Sequence, residues 1–334
     1  MRLNRSVSSL CASTSIVLSM VVGLSGGVEA HGLIGKRFFP ATLAIDDPFV
    51  ADELSLPTIS HIKTPAAEDG PATRETDISG EFSKRLSPDL GLSLGGTMKI
   101  LDPDAPASSV SGFDNLEVWL KYVFFKSPEH ETLLSLALGW DVGGTGSKKV
   151  GAESFSTVTP ALFFGRGLGD LPDTVEFLKP LAATGTFGVA IPTRNSTTTV
   201  TVTGTGELET EREVHPNVAQ WGFTVQYNLQ YLQAFVRDVG LPKPWSRMIP
   251  IVEFAMETPI DGKNVGKTTG TINPGVIWWG RYLQIGIEAQ VPVNDRTGKN
   301  VGILGQMHFY LDDIAPTIFS WTPFHGTLGP TLSQ

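Results

Sequence analysis

The fold is decided by the stretch from Phe113 to Gly143, FDNLEVWLKYVFFKSPEHETLLSLALGWDVG. It predicts two long β-strands joined by a short polar turn at 127–130. Successive side chains of a strand point to opposite faces, so alternation of residue types separates an apolar face from a polar one. In the first strand the apolar face holds Leu116, Val118, Leu120, Tyr122 and Phe124, opposite Glu117, Trp119 and Lys121. In the second it holds Leu134, Leu136, Leu138, Trp140 and Val142, opposite Ser135, Ala137, Gly139 and Asp141.

The same alternation recurs along the chain from Glu75 to Leu311 in short, evenly spaced segments. No helical pattern intervenes between them, which favours an antiparallel meander over an α/β fold. Several segments have about ten residues, the length with which a tilted strand crosses a bilayer. The sequence therefore predicts an all-β fold, an antiparallel up-and-down transmembrane β-barrel of about 12 strands.

The direction of the two faces is not fixed by alternation alone, since a soluble β-rich domain would place the apolar face in its core. Aromatic residues favour the membrane reading, because they are typical of the girdles where a barrel meets the lipid headgroups. These residues are Trp119, Trp140, Trp221, Trp278, Trp279, Tyr122 and Tyr227.

The ends of the chain differ from this central region. Residues 1–30 resemble a secretory signal, with Arg2 and Arg5 before an apolar core and the small-residue ending Val28-Glu29-Ala30. Residues 31–74 alternate poorly and are rich in Pro and acids from Lys63 on. They predict a periplasmic N-terminal extension or a plug of the barrel. Residues 312–334 form a C-terminal tail beyond the last predicted strand.

The overall composition excludes several classes of function. The net charge of −9 argues against a nucleic-acid partner, which requires a basic surface. After the N-terminus no run of about 18 apolar residues predicts a transmembrane helix. The only cysteine, Cys11, lies within the predicted signal, so the exported chain would have no disulfide.

The signal, the polar lead-in and the glycine-spaced amphipathic strands of 75–311 resemble Gram-negative outer-membrane β-barrel proteins. Within them the chain looks like the transporter-like group that includes barrels associated with phenol-degradation pathways. This resemblance implies a location in the cell outer membrane and an encounter with the barrel-assembly machinery. It also implies a channel or passive transporter for small molecules, without enzymatic activity. One departure is the tail, because many such barrels end on an aromatic residue. Here Met307-His308-Phe309-Tyr310 would be an internal version of that signal.

Polar side chains on the face opposite the apolar one are the candidates for lining a pore. They are Glu117, Lys121, Asp141, Gln226, Glu253, Glu257, Glu288 and His308. Acids outnumber bases among them, so the predicted pore favours cations or neutral solutes over anions. The alternative is that these groups only solvate or salt-bridge the wall of a non-conducting, structural or adhesive barrel.

Enzymatic alternatives find little support in the sequence. No catalytic motif such as GxSxG, HExxH or a Walker A loop occurs. Barrel lipases use a Ser–His pair, and no such pair is recognisable here. Cleavage after Ala30 would make His31 the first residue, whose amine and ring nitrogen can chelate copper. A secreted copper-binding protein is therefore a further alternative, although no second histidine has a matching spacing, and no other cofactor is predicted.

Overall fold

Each strand of the chain pairs with a neighbour in antiparallel register, and the last barrel strand returns to the first. The computed structural model describes residues 32–66, 70–104, 106, 108–202 and 208–324. In chain order the strands are β1 (Leu33–Ile34), β2 (Arg37–Phe38), β3 (Glu53–Thr64), β4 (Thr73–Ser87), β5 (Leu90–Pro103), β6 (Val110–Phe113), β7 (Leu116–Ser127), β8 (Thr132–Val142), β9 (Thr157–Gly167), β10 (Leu181–Pro192), β11 (Ser196–Val202), β12 (Leu208–Val214), β13 (Val218–Tyr227), β14 (Met248–Pro259), β15 (Thr269–Trp279), β16 (Leu283–Pro292) and β17 (Gly302–Tyr310).

Twelve of these strands form one closed ring. The order is β3-β4-β5-β7-β8-β9-β10-β13-β14-β15-β16-β17, and β17 pairs with β3, for example Ile303 with His61. The chain therefore folds as a closed, 12-stranded antiparallel β-barrel, which confirms the predicted fold class. Closure gives every strand of the wall a hydrogen-bonded neighbour on both sides and removes the exposed edges that an open sheet would have.

Helical structure is confined to short turns outside the wall. They are α1 (Leu229–Tyr231), α2 (Leu311–Ile314), α3 (Pro316–Phe319), a single π-turn at Leu232–Val236 and 3-10 turns at Lys148–Val150, Asp173–Leu178 and Trp245–Arg247. Among the described residues, no helix is long and apolar enough to span a membrane.

The two ends of the barrel carry different connections. One end holds the start of β3 and the end of β17, together with turns 88–89, 128–131 and 280–282; we call it the terminal end. The terminal end also carries two longer connections, at 168–180 and 228–247. At the opposite end, the loop end, every connection has eight or more residues, and the longest are 143–156 and 193–217. The β11–β12 hairpin belongs to this second set, and its two strands pair with each other in a separate two-stranded sheet.

The outer surface of the barrel is apolar. Leu138 on β8 and Ile287 on β16 are each 51% exposed, although they lie in the middle of their strands. Outward apolar side chains occur on the other strands as well, among them Ile59, Phe82, Leu94, Leu120, Leu162, Phe187, Val225 and Ile303. An apolar belt of this extent far exceeds the exposed patch of an ordinary soluble protein.

The first barrel strand differs from the predicted division of the chain. β3 lies within residues 31–74, the range predicted as an extension, and the predicted barrel began only at Glu75. Its alternation is broken because the pairing shifts between Ser55 and Thr58, where a β-bulge surrounds Pro57. A bulge moves later side chains to the opposite face, which hides the strand from a search for strict alternation.

Candidate channel lumen

The inward side chains of the wall enclose a lumen, and the N-terminal segment occupies part of it. The N-terminal segment comprises residues 32–52. Its first residues lie at the terminal end, where β1 and β2 form a small hairpin. Ala44, Ile45 and Asp46 mark its farthest reach, since they also line the cavity that opens toward the loop end. The segment then returns, and Asp52 leads directly into β3 at the terminal end. The lumen is thus filled in its terminal half.

A buried ion pair fixes the start of the segment to the turns at the terminal end. The Nε atom of Arg37 donates to Glu131 at 3.0 Å, and its Nη1 donates to the carbonyl of Pro180 at 2.8 Å. The guanidinium lies 3.8 Å from the ring centre of Tyr231, whose hydroxyl donates to Glu131 at 2.9 Å. Burial lowers the pKa of Arg37, and the Glu131 carboxylate opposes that shift. We call these three side chains the terminal clasp.

A second contact holds the middle of the segment. The carboxylate of Glu253 accepts hydrogen bonds from the main-chain N–H groups of Leu43, Ala44 and Ile45 at 2.7, 2.9 and 3.0 Å. Glu253 is 0% exposed. Three converging N–H groups form a concave anion site, and they stabilise a carboxylate that burial would otherwise disfavour.

Lys121 also binds the N-terminal segment, but with a positively charged group. Its ammonium group lies 2.6 Å from the carboxylate of Asp46 and 2.7 Å from the carbonyl of Asp47. Both Lys121 and Asp47 are buried. Together with Glu253, this pair ties the segment to the strands β7 and β14.

Apolar side chains of the segment pack where the wall is small or apolar. Phe38 and Leu43 join a core with Ile249, Ile277 and Leu304, all of which point inward. Strand glycines make room for four further contacts. In each pair the glycine has an apolar side chain of the segment within 3.2 Å of where its Cβ would be: Gly91 under Val50, Gly165 under Pro48, Gly222 under Ile45 and Gly286 under Leu43.

Between the segment and the loop end lies a cavity of about 620 Å³, which we call the outer cavity. The segment forms its floor. Its wall includes Trp119, Phe163, Glu117 and Glu257, and Arg296 lies at its rim on the connection between β16 and β17. The outer cavity is therefore both aromatic and charged.

A second cavity of about 340 Å³ lies beside the segment, along β3, β4, β5 and β17. It shares Asp46, Glu81 and Glu117 with the lining of the outer cavity, so the two spaces adjoin. Acidic groups dominate this second lining as well, since it also contains Asp47 and Glu53.

The second cavity contains a Ser–His–Glu arrangement that sequence reasoning did not recognise. Ser55 Oγ lies 2.8 Å from His308 Nδ1, and His308 Nε2 lies 3.2 Å from Glu53. Such a chain of contacts suits a nucleophile and its base. However, the carboxylates of Asp47 and Glu81 line the same space, and negative charge disfavours the oxyanion that forms in acyl transfer. The arrangement therefore reads as a polar network of the wall.

The predicted pore-lining residues occupy three different settings. Glu117 and Glu257 line the outer cavity, and Glu117 and His308 line the second one. Lys121 and Glu253 bind the N-terminal segment instead of facing open space. Gln226 and Glu288 are buried in the wall, and Asp141 lies opposite Glu117 in the register of β7 and β8.

Two of the aromatic residues predicted for the lipid girdles point into the barrel. Trp119 lines the outer cavity, and Trp279 stacks on Phe38 of the segment with ring centres 4.4 Å apart. In each strand alternate residues point inward, and both tryptophans occupy inward positions, whereas the residues next to them point outward. Trp140 fits the prediction, since it is exposed on the outer face.

Metal sites find limited support in the described residues. One cluster of possible ligands, Glu153, Glu213 and His215, lies at the loop end with ligand atoms within 4.8 Å of one another. The ring of His215 is already engaged by Thr197 at 3.0 Å and packs on Phe155. His31, the predicted copper ligand, lies outside the described residues, so that hypothesis stays a prediction.

Comparison with known proteins adds a likeness of fold. No protein-family model matches the chain, and no curated protein matches its sequence. The structure of the NanC porin aligns with a TM-score of 0.41 at 9% identity over 76% of this chain and 98% of that one. The translocator domain of the autotransporter NalP from Neisseria meningitidis aligns with a TM-score of 0.44 at 8% identity, over 77% and 87%. A TodX deletion mutant, a monoaromatic hydrocarbon channel, aligns with a TM-score of 0.36 at 8% identity, over 77% and 88%.

Proposed function

We propose that the chain is an outer-membrane channel for small molecules, closed in this conformation by its own N-terminal segment. The observation that carries the proposal is the pairing of an apolar outer belt with a charged, cavity-containing interior. A water-soluble barrel has the opposite arrangement, because its polar face meets solvent. In a membrane the lipid chains contact the apolar belt, and the polar side chains line the lumen.

The connections support an orientation in that membrane. Outer-membrane barrels generally have short periplasmic turns and longer external loops. The tight turns 88–89, 128–131 and 280–282 all lie at the terminal end, which also carries the longer connections 168–180 and 228–247, and no connection of the loop end is as short as these turns. On the basis of the tight turns, the terminal end faces the periplasm and the loop end faces outward. The outer cavity then opens to the external medium, and the N-terminal segment closes the periplasmic half. Export by residues 1–30 and insertion by the barrel-assembly machinery belong to the same proposal.

The charge of the lumen supports a preference among solutes. Glu117 and Glu257 line the outer cavity, whereas Lys121 is neutralised by Asp46. A lumen with excess carboxylates lowers the energy of cations and raises that of anions. We therefore expect passive flux of cations and neutral solutes, driven by the concentration gradient.

The dense contacts of the segment favour a second candidate function. Glu253, Lys121 and the terminal clasp tie it to several sides of the wall. A barrel in which these contacts never release would be a non-conducting, structural or adhesive protein. The phenol-pathway resemblance of the sequence is neutral between the two candidates.

Planar bilayer recordings separate them. The full chain is compared with Glu253→Ala, which removes the acceptor of three hydrogen bonds. For a channel we expect larger or more frequent openings in the variant, and a reversal potential that indicates cation preference. Glu257→Gln should weaken that preference without changing the opening frequency. Two electrically silent proteins, both shown to be folded by their mobility in cold detergent, would exclude the channel and leave the non-conducting barrel.

A further inference from the structure

The outer cavity has an aromatic shelf on one wall. Trp119 is partly buried there and packs against a buried cluster of Phe163, Ala137 and Ala161. The six-membered ring of Trp119 lies against Gly139, where a Cβ atom would come within 2.7 Å of two ring carbons. Small residues on β8 and β9 thus leave space for a large ring that faces the lumen instead of lipid. Any side chain larger than glycine at position 139 would displace it.

Carboxylates stand around this shelf. Glu81, Glu117 and Glu257 line the outer cavity, and Arg296 at the rim is the one basic residue in its described lining. Asp46 on the floor is neutralised by Lys121. The remaining balance is three acids against one base, so the space carries a net negative charge.

Glu117 is the carboxylate best placed to receive a ligand. It is two residues from Trp119 on the same face of β7, and it lines both cavities. No hydrogen bond or ion pair engages its carboxylate among the described residues. Glu81, in contrast, accepts a hydrogen bond from Ser83 at 3.2 Å.

The shelf already accommodates one ammonium group of the protein itself. The Nζ atom of Lys121 lies 4.8 Å from the ring centre of Phe163. A cation within about 6 Å of an aromatic face is attracted by the ring quadrupole, and tryptophan is the strongest partner for this interaction. The adjacent Trp119 offers the same attraction with no ammonium of the protein within that range of its ring among the described residues.

We propose that the outer cavity is a binding site for small organic cations that carry an aromatic or other flat apolar group. The apolar group stacks on Trp119, which the buried ring of Phe163 supports from behind, and the positive charge lies toward Glu117. This inference rests on the proposed function and deepens it by naming the class of solute. Inorganic cations would be attracted by the carboxylates but could not stack on the aromatic ring. Anions such as aromatic carboxylates would meet like charge, and neutral aromatic molecules would lose the electrostatic part.

The test is calorimetric titration of the folded, detergent-solubilised chain with four probes. They are benzyltrimethylammonium, tetramethylammonium, benzyl alcohol and phenylacetate, which separate charge from ring. We expect benzyltrimethylammonium to bind about tenfold or more tightly than each of the others, with phenylacetate the weakest. These ratios correspond to one cation–π contact together with one charge contact.

Two pairs of matched variants locate the site. Trp119→Leu removes the inner ring, while Trp140→Leu removes an outward ring from the adjacent strand. We expect the first to weaken benzyltrimethylammonium binding about three- to thirtyfold and the second to leave it unchanged. Glu117→Gln should weaken binding of the cation and leave benzyl alcohol unaffected. Asp295→Asn, which alters an 84% exposed carboxylate at the same end, should have no effect.

The results separate this inference from the proposed channel. Equal binding of benzyl alcohol, or an unchanged affinity in both Trp119→Leu and Glu117→Gln, would overturn the organic-cation site even if the barrel conducts. Selective binding in a barrel that shows no conductance would support the site and remove the channel. Each variant is first checked for a folded barrel by its mobility in cold and heated detergent.

Discussion

Glu253 shows how a single side chain can serve the closed state. Its carboxylate is fully buried, and its two oxygens satisfy three main-chain N–H groups of the N-terminal segment. Hydrogen bonds to a charged group each contribute about 1.5–3 kcal/mol. Without them, the N–H groups of Leu43 to Ile45 would be buried and unpaired.

We therefore expect Glu253→Ala to loosen the segment locally. Amide hydrogen exchange at residues 43–45 should become about 10- to 100-fold faster, which corresponds to the loss of one such bond at each amide. Glu257→Ala is the matched control, since it removes a carboxylate from the same strand without touching the segment. Equal protection in both variants would show that Glu253 does not hold the segment.

Tyr231 gives the terminal clasp a dependence on pH. Burial and, next, the hydrogen bond to Glu131 raise the pKa of its hydroxyl to about 12. A group with a raised pKa contributes its full stabilisation below its ordinary value near 10, and that contribution disappears as the pH rises through about 12.

The clasp should accordingly hold up to about pH 10 and weaken between about pH 10 and 12. Ultraviolet absorbance of tyrosinate should show a component with a midpoint near pH 12 that Tyr231→Phe removes. Amide exchange at residues 33–38 should accelerate over the same pH window in the parent chain only. A phenol at position 231 that titrates near pH 10 would contradict the buried contact with Glu131.

At the scale of elements, the side chains of the N-terminal segment fill the space that strand glycines leave free. A Cβ atom at Gly286 on β16 would lie 2.6 Å from Leu43 Cδ1. Two methyl groups more would overfill this site, and overpacking commonly costs about 1–3 kcal/mol.

Gly286→Val should therefore displace the segment while leaving the barrel closed. Limited proteolysis should cut within residues 40–48 faster than in the parent chain, and cold-detergent mobility should not change. Gly305→Val on the adjacent strand is the control, because the nearest heavy atom lies 3.9 Å from its Cβ position. Similar proteolysis in both variants would indicate that Leu43 does not depend on this gap.

The sequence predicted the elements that face lipid better than those that face the segment. Alternation identified β7 and β8, because a strand with one apolar face repeats every two residues. It missed β3, where the bulge shifts the pattern. It also could not show that Ile249, Ile277 and Leu304 point inward, because they pack on a segment more than 200 residues away in the chain. The pairing of Lys121 with Asp46 is hidden for the same reason, since only the folded chain brings them together.

At the scale of the whole molecule, the outer belt is the feature that separates a membrane barrel from a soluble one. Leu138 lies in the middle of β8 and is half exposed, and Val301 is 64% exposed on a connection at the loop end. Only the first of these two apolar residues would be surrounded by lipid.

Leu138→Arg should therefore reduce the free energy of unfolding in lipid vesicles by about 2–4 kcal/mol. Val301→Arg should change it little, because that residue lies beyond the strands. Urea-induced unfolding followed by tryptophan fluorescence measures both variants. Equal tolerance of the two arginines would contradict a lipid-facing belt and favour a soluble barrel with a solvated outer surface.

The path of the N-terminal segment also has a topological consequence. Both of its ends lie at the terminal end, so its chain is folded back inside the ring of strands and is not threaded through it. The segment can consequently leave or enter after the seam between β17 and β3 has formed, with no strand pair broken. A pulling force applied to residue 32 from the terminal side would withdraw the segment from the barrel without forming a knot, and its contacts would break one after another. Assembly of the ring and its occupation are thus two independent events, whose order is left to kinetics.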